Sequence, residues 1–206
     1  MINLKSIPAA LGAIAFALTL ATPAHSAPLH PFGYQAPQVQ QTPQLEEDTD
    51  AFELPARFKR QVVVYTGTEA PGTIIVDTPN TYLYFVLGGG RAIRYGIGVG
   101  REGFTWSGVQ QISKKSEWPD WHPPAEMLAR QPYLPRFMAG GPGNPMGARA
   151  LYIGTTVYRV HGTNAPETIG HSVSSGCFRL VNSEIEDLYA RVPVGTKVVV
   201  RQKPEI

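Results

Sequence analysis

From Gln61 onward, glycine, proline and asparagine interrupt the chain at short intervals, and the runs between them are rich in Val, Ile, Thr and Tyr. Runs of that length and composition suit strands and are too short for ordinary helices. Residues 61–65, 72–77, 82–87, 91–99, 108–113, 151–153, 157–161 and 197–201 therefore read as strands. The Gly88-Gly89-Gly90 tract predicts a hairpin between two of them. Helical signal is confined to two places. Residues 124–130 can form one short helix. Ser183 with Glu186 three residues later has the form of a capping box, and Ile185, Leu188 and Tyr189 recur at helical spacing before Pro193 and Gly195 close the segment near Arg191. The expected fold is mostly β, a sandwich or barrel-like domain with one or two short helices.

The first sixty residues have a different texture. Lys5 precedes an apolar run from Ile7 through Ala21, and small residues follow at Ala24, Ser26 and Ala27. This pattern predicts a cleaved export signal over 1–26 and no membrane-spanning segment in the mature form. Residues 27–60 carry Pro28, Pro31, Pro37 and Pro43 among several Gln, then the acidic Glu46, Glu47, Asp48 and Asp50. They read as a disordered linker, which leaves 61–203 as the catalytic domain. Losing Lys5 lowers the formal charge from +2 to +1, and no Lys/Arg run is present, so nucleic acid is not an expected partner.

Export sharpens the meaning of Cys177, the one cysteine in the chain. Exported proteins generally use cysteines in disulfide pairs, so an unpaired one is either a small buried hydrophobe or a working thiol. It sits in the stretch HGTNAPETIGHSVSSGCFRL, which opens on His161 at the end of a predicted strand. Sixteen residues separate His161 from Cys177, enough for the chain to leave a strand and return beside it. An imidazole there can take the thiol proton and activate the nucleophile. Ser174, Ser175 and Gly176 are small enough to let a substrate reach the sulfur, and the N–H groups of Gly176 and Cys177 are candidate oxyanion donors. Arg179, two residues beyond Cys177, shares its face on a strand and can grip a carboxylate with two parallel hydrogen bonds. A Cys/His pair at this separation is weak on its own; these neighbours raise it.

The same residues carry a family resemblance. His161-Gly162, a loop, then Ser174-Ser175-Gly176-Cys177-Phe178-Arg179 is similar to the signature of the YkuD-type L,D-transpeptidases in their ErfK-like branch. Residues 114–124 and 140–153 resemble the segments flanking that signature, so the likeness covers about 61–201. It implies a periplasmic peptidoglycan enzyme. Cys177 would attack a donor tetrapeptide stem and release D-Ala, with His161 as acid/base, the Gly162 carbonyl orienting the imidazole, and Arg179 meeting the donor carboxylate. The acyl group would pass to an amine, either of another stem peptide (a 3→3 crosslink) or of an outer-membrane protein. Two alternatives stand beside it: an L,D-carboxypeptidase, in which water replaces the amine, and a non-catalytic wall-binding module. Ser175 stands where many members carry His, which leaves the acid/base role to His161 alone.

Other polar residues have weaker readings. No Cys/His/Asp cluster has metal spacing, so neither metal nor cofactor is expected, and His171 reads as a solvated or substrate-gating loop residue. His122, among Trp118, Trp121 and Pro123, suits loop packing and a lid over the cleft about equally. Asn144, Pro145 and Gly147 read as loop punctuation, and Asn164 and Arg149 are candidates to face the cleft, with a structural role an equal reading for both. Gly96, Gly98 and Gly100 lack the strand-to-helix context of a nucleotide loop.

Overall fold

Most of the alternating runs become strands within a residue or two of their expected limits, but the run from Gly108 extends to Glu117, four residues past its expected end, and the run from Arg91 stops at Gly96, three residues short. The computed structural model describes residues 52–203, so the signal segment and most of the expected linker lie outside the described residues. The strands are β1 (Gln61–Val64), β2 (Ile74–Asp77), β3 (Tyr82–Gly88), β4 (Arg91–Gly96), β5 (Val99–Gly100), β6 (Gly108–Glu117), β7 (Arg149–Ile153), β8 (Arg159–His161), β9 (Ser172–Ser174), β10 (Phe178–Arg179) and β11 (Lys197–Arg201). The helices are α1 (Ala125–Arg130) and α2 (Asn182–Arg191). No helix among the described residues is long and apolar enough to cross a bilayer.

Nine strands follow one another in the order β1-β4-β3-β2-β11-β6-β7-β8-β10, and β5 pairs separately with β9. β6 joins the two halves of the series. Gly108–Gln111 pairs antiparallel with β11, whereas Ile112–Glu117 pairs with β7 after a register irregularity between Ile112 and Lys114. An irregularity of this kind bends the strand, so one strand serves two sheets. Ile74, Leu83, Tyr95, Leu151, Phe178 and Val198 fill the space between the layers, each essentially without solvent contact. α2 lies against β7 and buries Ile185 and Leu188 completely. Each such side chain contributes about 1.5–3 kcal/mol by leaving water.

Two expectations about element ends are corrected. The Ser183–Glu186 capping box is not formed. α2 begins at Asn182, its N-cap is the extended Val181, and no side chain caps it. Instead Asn182 Oδ1 accepts the Ala148 N–H at 3.0 Å, so a long-range tie sets the start of the helix. The domain also begins before residue 61. Leu54 and Phe58, on and beside a 3-10 turn over Ala56–Phe58, are buried with Ile169 under Tyr82 and Val181. Apolar side chains that find such a pocket hold their segment to the domain, so residues 52–60 do not behave as linker. Arg60 adds an ion pair to Asp187 at 2.5 Å. Asp187 also takes a two-pronged contact from Arg191 at 2.9 and 2.8 Å, and the Tyr95 hydroxyl donates to it at 2.6 Å.

Candidate functional site

β8 and β10 are adjacent and parallel, with Val160 opposite Phe178 and His161 opposite Arg179. The chain leaves β8 at His161, passes through β9, turns at Gly176 and returns as β10. Leu180 donates to the His161 carbonyl at 2.9 Å, while Arg179 and Gly98 exchange backbone hydrogen bonds at 2.9 and 2.8 Å on the other edge. The returning segment is thus clamped from both sides. Alternation along strands then matters. Arg159 and His161 share one face of β8, and Cys177 and Arg179 share the corresponding face beside it. All four line a cavity of about 300 Å³, together with Ser174, Ser175, Thr163 and Asn164. Trp121, Met127 and Arg130 line it from the α1 segment.

His161 is 5% exposed, and its Nδ1 lies 2.6 Å from the Gly162 carbonyl oxygen. A carbonyl only accepts, so Nδ1 carries the proton and the Nε2 lone pair is left free in the neutral ring. Burial is the main cause that pushes the imidazole down to about 4; Arg179 and Arg159 add to it, and the Gly162 and Met146 carbonyls work against it. Burial likewise pushes the half-buried Cys177 thiol above its ordinary range, against the pull of Arg159 and Arg179. The resting pair is therefore a thiol and a neutral imidazole. The low His161 value also affects stability. Between about pH 4 and 6.5 the unfolded chain binds a proton that the folded imidazole refuses, so stability falls as pH is lowered through that window. The melting temperature should drop less over this window in His161→Gln than in the native protein; equal slopes would mean that His161 is not held neutral.

Gly162 and Gly147 explain how the His161 carbonyl contact is fixed. A Cβ on Gly162 would meet Asn182 Oδ1 at 2.3 Å and the Ala148 nitrogen at 2.9 Å. A Cβ on Gly147, at φ +62, would meet the same oxygen at 2.3 Å and the Thr163 nitrogen at 2.4 Å. Two glycines thus let the 144–148 turn and the Asn182 side chain close directly on the backbone behind His161. Neither Asn182 nor the packing role of Gly147 stands out in the sequence, where Gly147 looks like any turn glycine.

The Gly176 region differs from expectation. Its N–H, expected as an oxyanion donor, is directed at Ser174 Oγ at 3.2 Å, and that hydroxyl donates to the Cys177 carbonyl at 2.6 Å. Ser174 is 8% exposed and staples the turn. The other candidate donor in the sequence is the Cys177 N–H. Gly176 shapes the elbow: its φ is +101, a Cβ would meet the Tyr158 ring at 2.4 Å, and its carbonyl accepts Trp106 Nε1 at 3.0 Å. Trp106 in turn stacks on Tyr158, with ring centroids 4.8 Å apart.

Arg179 reaches the cavity with Nε and Nη2 buried and unpartnered. Arg159, which the sequence alone does not single out, brings its positive charge near the Cys177 thiol, where it opposes the upward push of burial, and stacks 5.0 Å over the Tyr152 ring. Its spacing two residues before His161 is the one local signal for it. Arg149 is not in the cleft; it pairs with Glu117 at 3.4 Å and lies over Tyr189. His171 is exposed and away from the cavity, and His122 packs on Phe137 while Trp121 takes the lining position.

A sequence model of the YkuD family, the L,D-transpeptidase catalytic domain, matches residues 71–200. A probable L,D-transpeptidase of Escherichia coli K12, YbiS, is 37% identical over 153 residues, covering 70% of this chain and 49% of that protein. Another from the same strain, ErfK/SrfK, is 39% identical over 140 residues, covering 64% of this chain and 44% of that protein. The chain thus spans about half the length of these curated relatives. Among solved structures, an Enterococcus faecium L,D-transpeptidase bearing a cysteine-to-serine change aligns with a TM-score of 0.52 at 20% identity, over 64% of this chain and 50% of that one, which supports the fold.

Proposed function

The chain belongs to the YkuD L,D-transpeptidase family, and from that premise we propose that it is a periplasmic cysteine acyltransferase acting on peptidoglycan stem peptides. The observation that carries this reading is one cavity lined by Cys177, by His161 with its Nδ1 on the Gly162 carbonyl, and by Arg179 with two unpartnered nitrogens. The Cys177 sulfur attacks the carbonyl carbon after the third residue of a donor tetrapeptide as its proton passes to His161 Nε2. The Gly162 carbonyl, holding Nδ1–H, keeps the ring aligned and supports the imidazolium, as a carboxylate does in a Ser-His-Asp triad. The Cys177 N–H donates to the developing oxyanion. The bond to D-Ala breaks, the leaving amine takes the proton from His161, and a thioester remains. An acceptor amine then gives its proton to His161, attacks the thioester and releases the thiol. The resting thiol is protonated, and the positive charge of Arg159 beside the sulfur stabilises the thiolate as it forms. The acceptor is an amine of a second stem or of an outer-membrane protein.

Incubation with purified disaccharide tetrapeptide followed by mass spectrometry tests this. Dimer with loss of D-Ala supports the transpeptidase, tripeptide alone supports the carboxypeptidase, and unchanged substrate rejects both in favour of a binding module. Arg179 is tested separately. Lysine keeps the charge but not the planar fork. Arg179→Lys should leave the melting temperature near that of the native protein and lower transpeptidation roughly tenfold or more, about 1.4 kcal/mol of transition-state binding. A lowered melting temperature with normal turnover would make Arg179 structural.

A further inference from the structure

Arg101, Arg130, Arg159 and Arg179 all line the cavity that holds Cys177, and no Asp or Glu lines it. Among the described residues the ion pairs engage other cations, and none of these four. A chain with 18 Lys+Arg against 16 Asp+Glu thus gathers four arginines in one place, none of them in an ion pair among the described residues. Like charges gathered without counter-charge repel, and an anionic ligand relieves that repulsion. Arg159 and Arg179 have roles in the reaction. Arg101 and Arg130 have none, yet both are held in position. Their guanidinium carbons lie 4.4 and 4.8 Å from the centroid of the same ring, Phe104. Stacking of this kind restrains a flexible side chain while leaving its edge donors open.

The two arginines also come from different sides of the cleft. The Arg101 N–H donates to the Ser174 carbonyl at 3.0 Å, and the Phe104 N–H closes a turn onto the Arg101 carbonyl at 2.9 Å. That turn packs on the Gly176 elbow, where a Cβ on Gly176 would lie 3.1 Å from the Phe104 oxygen. Arg101 is therefore fixed to the segment that leads into Cys177. Arg130 is the last residue of α1, the helix whose Met127 lines the cavity.

We infer that Arg101 and Arg130 form a second carboxylate-binding subsite, which takes an internal carboxylate of the stem peptide while Arg179 takes the terminal one. This rests on the stem-peptide reading above and adds a requirement to it: the substrate must be anionic at two separated points. Amidation of an internal carboxylate removes its charge with almost no change in size, which makes a clean probe.

Binding is measured by calorimetry with two tetrapeptide stems, one with free internal carboxylates and one with them amidated. The Cys177→Ala protein serves as host, so that a failure of turnover in the native enzyme bears on the transpeptidase reading and leaves this measurement intact. The free acid should bind at least tenfold more tightly than the amide. Adding Arg101→Gln and Arg130→Gln should bring the two dissociation constants within about twofold of each other. Equal binding of the two stems without the arginine changes, or a preference that survives them, overturns the subsite.

Discussion

Cys177→Ala should lower transpeptidation by on the order of 10⁴-fold or more, the scale seen when a covalent nucleophile is removed, while the melting temperature stays close to that of the native protein. The two outcomes separate because the sulfur does little for the fold. It is half-buried, and its hydrogen bond to the Val157 carbonyl is a weak 4.0 Å contact. Its neighbours Phe178 and Leu180, which are fully buried, hold the strand. His161→Ala should cost about 10²–10⁴-fold, the usual range for a positioned acid/base. His171→Ala should change turnover by no more than about twofold, since that ring is exposed and outside the cavity. Rates on the disaccharide tetrapeptide with thermal melts of the same samples decide the matter. Near-native dimer formation by Cys177→Ala, or equal losses at His161 and His171, would reject the assignment.

Gly147→Ala, in the loop before β7, should be strongly destabilising. The residue has φ +62, and the added Cβ would lie 2.4 Å from the Thr163 nitrogen and 2.5 Å from the Gly162 carbonyl carbon. A side chain in the left-handed region costs about 1–2 kcal/mol, and forcing a methyl into filled space costs about 1–3 kcal/mol more. Backbone atoms cannot swing aside as a flexible side chain can, so the chain must shift where it orients His161. The expected result is a melting temperature lower by roughly 10 °C and a loss of activity beyond that due to unfolding. Gly143→Ala in the same loop is the control. Nothing lies within 4 Å of its added Cβ, so its effect should stay within about 0.5 kcal/mol. Equal effects at the two positions would mean that the packing behind His161 is loose.

That pair of glycines marks where the sequence stops being informative. Gly143 and Gly147 lie four residues apart in one turn-rich stretch and look alike as sequence. What separates them is the proximity of Gly162, Thr163 and Asn182, which only folding brings about. The same holds for Ser174 and Gly176. Small residues before a cysteine suggest an open oxyanion hole, but whether an N–H is free depends on where a neighbouring hydroxyl turns, and Ser174 Oγ takes the Gly176 donor. Arg149 is by sequence a candidate to face the cleft; Glu117 and Tyr189, from other elements, draw it elsewhere.

Much of the architecture is nonetheless written locally. Alternation, β-branched residues and turn formers are properties of a few adjacent residues, and they act through backbone dihedrals before any tertiary contact exists. That is why β2, β3, β11 and α1 lie where short-range patterns put them, and why the returning segment with Cys177 can be placed beside the His161 strand from a spacing of sixteen. The ends of α2 and of the domain itself are not local, because Asn182–Ala148 and Phe58–Ile169 are contacts between residues far apart in the chain. The electrostatic character of the cleft is the least accessible. A net charge near zero averages over the molecule, whereas the potential in a cavity sums only what is close. Arg101, Arg130, Arg159 and Arg179 come from four separate segments, and only the fold gathers their charges around one thiol.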